Sequence, residues 1–117
     1  MRQPNIIFIL IDDMGRQDLG VYGSTFYETP NLDQFAKESM LFTNAYAACP
    51  VCSPTRASLM SGQYPARVGV TNWIGTQGYG GCHPNKGKVI DAPYIDHLPL
   101  EIINLPTILG ETGYQTW

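Results

Sequence analysis

The segment Asn5–Ile11 is a nearly unbroken apolar run, rich in β-branched side chains and bounded by Pro4 and Asp12. A strand with one wet face alternates apolar and polar residues, whereas a continuous apolar run suits a strand covered on both faces, as in a parallel sheet. The run is too short to cross a bilayer, and it leads straight into Asp12 and Asp13. In open α/β sheets ligands bind beyond the carboxyl ends of the strands, which is where this acidic pair falls.

The rest of the chain supports an α/β reading. Asp12–Tyr27, with Gly15, Gly20 and Gly23, reads as a loop. Thr29-Pro30 supplies a cap and a first-turn proline, and Leu32, Phe35, Ala36 and Met40 follow at helical spacing, predicting a helix over Pro30–Glu38. Leu41–Tyr46 reads as a second short strand. Ser53 as cap, Pro54 in the first turn and Gly62 as terminator frame a second helix containing Ala57, Leu59 and Met60. Gln63–Pro99 lacks periodicity and reads as one long loop, of the kind kept for function or for wrapping a larger body. Leu105-Pro106 opens a last helix, Gly113 ends it, and Tyr114 onward begins a strand. A sheet with strands still to come implies residues 1–117 are one part of a longer catalytic domain.

A hydrophobic fraction of 44% and a charged fraction of 15% exclude a disordered chain. A net charge of −3 with no block of Lys or Arg excludes a nucleic-acid partner. No secretory signal opens the sequence, so the expectation is a cytoplasmic protein, or a periplasmic or secreted one whose signal is not part of these residues. Three cysteines, Cys49, Cys52 and Cys82, do not make a disulfide framework.

Two constellations can carry chemistry. Adjacent carboxylates at a strand end repel each other and are costly to desolvate unless a cation or protons compensate. Hard oxygen ligands favour Ca²⁺ or Mg²⁺, though Asp12 and Asp13 also suit a solvated turn or a helix cap. In Cys52-Ser53-Pro54-Thr55-Arg56 a potential nucleophile precedes a helix N-terminus, where the dipole and free amides favour an anionic substrate. Arg56 adds a forked donor for a tetrahedral oxyanion. The plainer reading makes Cys52 a small buried hydrophobe and Arg56 a surface charge.

Pro50–Gly62 closely resembles the signature of the formylglycine-dependent sulfatases, in which Cys or Ser, any residue, Pro, a small residue and Arg precede a helix ending in Gly. Asp12-Asp13-Met14-Gly15, with Asp18 and Gly20 beyond, resembles the family's first metal-binding motif. Tyr27–Phe42 resembles the segment that follows it, and Leu98–Leu100 with Leu105–Trp117 the approach to the second signature. This last block is most similar to the arylsulfatase A and N-acetylgalactosamine-6-sulfatase branch, which tilts the reading toward carbohydrate sulfate esters. Ser61 stands where Thr is usual, and Arg16-Gln17 where small or aromatic residues are common.

The resemblance implies an alkaline-phosphatase-like fold, with a mainly parallel central sheet flanked by helices and only its N-terminal part present. It implies hydrolysis of aryl or carbohydrate sulfate esters by a formylglycine made from Cys52 by a maturation enzyme. Asp12, Asp13 and the modified Cys52 would hold a divalent cation, Ca²⁺ in preference to Mg²⁺, and Arg56 would neutralise developing charge. Further ligands and a catalytic Lys and His would lie beyond Trp117, leaving these residues alone inactive. The nearest alternative chemistry is phosphonate or phosphate ester hydrolysis on the same fold. From another class, Cys49-Pro50-Val51-Cys52 before a helix suits a glutaredoxin-like redox protein, a reading that leaves Asp12, Asp13 and Arg56 without a purpose. His83 and His97 read as loop or surface residues. Cys82-His83 lacks a second pair at ligand spacing, and Gly81–Lys88 fails as a phosphate loop because Cys82 occupies a required glycine position.

Overall fold

A computed structural model describes residues 3–75 and 93–116. The chain divides into two compact units, Met1–Ala45 and Tyr46–Trp117. Four α-helices are present among the described residues: α1 Pro30–Glu38, α2 Cys52–Ser61, α3 Pro65–Val68 and α4 Leu105–Glu111.

The first unit is a loop stitched to one helix. Two 3-10 turns, Arg16–Asp18 and Gly20–Tyr22, follow the acidic pair. The second packs on α1 through Thr29 and Asp33 at the start of that helix. The Gly20 amide donates to Thr29 Oγ1 at 2.8 Å, the Val21 amide donates to Asp33 Oδ1 at 2.7 Å, and the Thr29 hydroxyl donates to the same Oδ1 at 3.0 Å. Thr29 holds the N-cap position as expected, yet its hydroxyl serves the loop instead of the helix amides. Farther on, the Tyr22 hydroxyl donates to the Phe42 carbonyl at 2.9 Å.

The expected strands do not form. Among the described residues there is no β-strand, so the parallel sheet predicted from Asn5–Ile11, Leu41–Tyr46 and the chain after Tyr114 is not seen. A strand exists through its neighbours' hydrogen bonds, and none of the described residues pairs with these segments. Every side chain from Ile6 to Ile11 is consequently exposed. The apolar stripe of α1 is bare too: Phe35 is 67% exposed, and the helix has no buried residue.

The second unit has the small core. Ala57, Val68 and Val70 are buried, with Leu98 and Ile102 packed against them. The long loop expected over Gln63–Pro99 is therefore not structureless at its start, because Pro65–Val68 is a helical turn begun by Pro65 and closed by Gly69 at φ 87°. Gly69 has a second job: its carbonyl accepts from the Ile95 amide at 2.8 Å, and the Ile95 side chain crowds the space where a Cβ would stand. Residues 76–92 of that expected loop, including Cys82, His83 and most of Gly81–Lys88 and its surroundings, lie outside the described residues. The last helix is capped by Asn104, whose Oδ1 accepts from the Thr107 amide at 3.1 Å. No helix among the described residues is long and apolar enough to cross a membrane.

Candidate active site

In the first unit, Asp12 and Asp13 follow directly from the apolar run and are exposed. Asp13 adopts φ 54°, the left-handed region that side chains other than Gly, Asn and Asp enter at a cost. The backbone reverses there. The Gly15 amide then donates to Asp18 Oδ2 at 2.6 Å, and the Asp18 amide returns a bond to the Gly15 carbonyl at 3.1 Å. Asp18 therefore closes the turn after the pair. Arg16 stacks its guanidinium over the Tyr22 ring, 5.4 Å from the centroid.

In the second unit, α2 begins at Cys52 with Val51 at the N-cap, one step ahead of the expected Ser53 cap. The reason is a competing partner: Ser53 Oγ accepts from the Ile74 amide at 3.0 Å and makes no cap bond. Pro54 sits in the first turn, where its missing N–H costs nothing, and it is fully buried. Thr55 holds the approach to the helix, its hydroxyl donating to the Cys49 carbonyl at 2.6 Å and its amide to the Val51 carbonyl at 3.3 Å.

Cys52 is thus half-buried at the first residue of a ten-residue helix, with Ser53 Oγ 3.9 Å from its sulfur. Arg56, four residues later, lies on the same helical face and is exposed. It helps to line a groove of about 280 Å³ with Ser53, Ala57, Met60, Val70, Ile74 and Leu98. At the far end of α2 the Ser61 hydroxyl donates to the Ala57 carbonyl at 2.7 Å and accepts from the Gln63 amide at 3.2 Å. A retained hydroxyl at this position closes the helix before Gly62, at φ 67°.

Two adjacent carboxylates offer hard oxygen donors suited to Ca²⁺ or Mg²⁺, which takes about six to eight ligands in the calcium case. They fit as part of such a shell. Among the described residues no group of three or more His, Cys, Asp or Glu side chains gathers to complete one. His97 is a surface residue, as expected: its Nδ1 lies 2.9 Å from Asp96 Oδ1, a hydrogen bond that holds the Asp96 carboxyl below its usual range.

The sequence reading passed over Thr29 and Asp33, although a Thr-Pro followed by Asp at the helix start carries the signal. It also passed over Asn104.

A nucleophile-bearing helix start with an arginine one turn on, and an acidic pair ending an apolar run, define a hydrolase of anionic esters. The chain belongs to the sulfatase family, whose model, described as Sulfatase, matches residues 4–117. It is 44% identical over 114 residues to N-acetylgalactosamine-6-sulfatase of Sus scrofa, covering 97% of this chain and 20% of that relative. Arylsulfatase A of Homo sapiens is 37% identical over 115 residues, covering 98% of this chain and 20% of the relative. Steryl-sulfatase of Homo sapiens is 35% identical over 114 residues, covering 97% and 18%. The chain spans about a fifth of the length of these relatives. Family membership implies the alkaline-phosphatase-like fold, and it leaves the glutaredoxin-like alternative without a fold to carry it.

Proposed function

We propose that these residues serve, within a longer polypeptide, an enzyme that hydrolyses sulfate esters through a formylglycine derived from Cys52. The observation that carries this reading is Cys52 at the first residue of α2 with Arg56 one turn later, in a chain of the sulfatase family. The amides at the start of α2 and the Arg56 guanidinium both favour a tetrahedral anion beside position 52. Thr55 and Ser53 fix the approach to that position by binding the Cys49 carbonyl and the Ile74 amide. Asp12 and Asp13 would hold a divalent cation, Ca²⁺ in preference to Mg²⁺, which supplies Lewis-acid polarisation of the sulfate when bound. The modified Cys52 would contribute a further ligand.

The 44% identity to N-acetylgalactosamine-6-sulfatase supports a carbohydrate sulfate ester as substrate. Peptide mass spectrometry at position 52 of the full-length protein from its native host, with assays on sulfated sugar and aryl sulfate, tests the reading. Formylglycine and sulfate release are the expected results. An unmodified thiol at position 52 would sink the mechanism, and faster release of phosphate from an aryl phosphate would move the protein to the ester hydrolases of phosphorus on the same fold.

A further inference from the structure

Sulfate-ester chemistry leaves one nucleophile unused: Cys49, three residues before Cys52. Both thiols are free and half-buried. Backbone bends at Pro50 and Val51 turn the chain between them. The Thr55 hydroxyl donates to the Cys49 carbonyl at 2.6 Å. Thr55 stands one turn after Cys52 on α2, so the two side chains share a face, and that bond draws Cys49 back toward the face that presents Cys52. A disulfide requires Cα atoms about 4.4–6.8 Å apart, a spacing that a chain reversal over four residues meets.

We propose that Cys49 and Cys52 form a reversible disulfide that withholds Cys52 from conversion to formylglycine, so that the redox state of the pair gates maturation. The proposal rests on Cys52 being the precursor of the nucleophile. A small-molecule disulfide such as glutathione disulfide is the oxidant. The Cys52 thiolate attacks one of its sulfurs, breaking the S–S bond and releasing one small thiol. The Cys49 thiolate then attacks the Cys52 sulfur, forming the protein disulfide and expelling the second small thiol. The protein gives up two electrons and two protons, and the two small thiols carry them away. Conversion to formylglycine replaces the Cys52 sulfur by oxygen on Cβ, and a sulfur bonded to Cys49 is withheld from that exchange.

The test uses full-length precursor prepared without the maturation enzyme and poised in glutathione buffers from reducing to oxidising. Trypsin releases Glu38–Arg56, which contains both cysteines and no internal Lys or Arg. At the oxidising end this peptide is expected to be lighter by two hydrogens, with any glutathione adduct read as a separate mass. Incubation with the maturation enzyme is expected to convert Cys52 at the reducing end and not at the oxidising end, with conversion restored by dithiothreitol. The Cys49→Ser and Cys49→Ala variants are expected to convert at the poise that blocks the parent. Equal conversion of the parent at both ends, the same block in both variants, or pairing with Cys82 instead overturns the gate alone. A reduced parent that stays unconverted overturns the nucleophile reading as well as the gate.

Discussion

The Val21 amide donates to Asp33 Oδ1 at 2.7 Å across twelve residues, and the same oxygen accepts the Thr29 hydroxyl. One carboxylate thus ties the loop that leaves Asp12 and Asp13 to the first turn of α1. Gly20 has to be glycine for this to happen, because a Cβ there would collide with the Asp33 carboxylate.

Gly20→Ala is therefore expected to destabilise by overpacking, at about 1–3 kcal/mol. Gly62→Ala meets no atom within 4 Å, so its cost comes from φ 67° alone and is about 1–2 kcal/mol. Asp33→Ala separates the two causes. Combined with Gly20→Ala it gives less than the sum, since the clash has gone, whereas combined with Gly62→Ala it adds. Urea unfolding midpoints of the full-length protein check both pairs.

Arg56→Ala and Arg56→Lys are expected to lower kcat by about 10²–10³ and by a smaller factor respectively, because Lys keeps the charge and loses the fork. The side chain is exposed and outside the core, so melting temperature should hardly move. A loss confined to KM would show that Arg56 only binds substrate.

Much of this was legible in the residues, and the misses have physical causes. Proline at a first turn with glycine past the end framed α2 and α4, and Thr29-Pro30 framed α1. The same punctuation, Pro65 and Gly69, marked α3, but only four residues lie between start and stop and periodicity had nothing to act on. Ser53 looked like a cap because side-chain type says nothing of a competing amide at Ile74. The apolar run at Asn5–Ile11 announced a sheet whose pairing has to come from residues other than those described. Cys52, Arg56 and the acidic pair were readable from motif. The left-handed backbone at Asp13 was not, since nothing marks an aspartate that turns the chain.

That turn gives a third prediction. Asp13→Gly removes a carboxylate and still suits φ 54°, whereas Asp13→Ala removes it and leaves a Cβ in the left-handed region. Both are expected to lose calcium affinity and sulfate release alike. Only Asp13→Ala should lower the melting temperature in EDTA, reflecting about 1 kcal/mol. Titration calorimetry and melting curves read the two effects separately.

Ser58 offers a fourth. Its hydroxyl is buried and has no hydrogen-bond partner among the described residues. Ser58→Ala removes an unsatisfied group without opening a cavity, and is expected to stabilise by about 1 kcal/mol in urea unfolding. A loss of stability would reveal a partner beyond those residues.

The bare segment Asn5–Ile11 has a consequence for handling. Ile7 is 86% exposed and Ile9 75%, in a stretch with neither charge nor proline until Asp12. Such a stretch is a template for cross-β stacking between chains. The carboxylates that end it act as gatekeepers, since stacking in register would bring like charges together. A cation bound between them would silence that repulsion, so calcium, a cofactor for the assembled enzyme, is an aggregating agent for a polypeptide of these 117 residues alone.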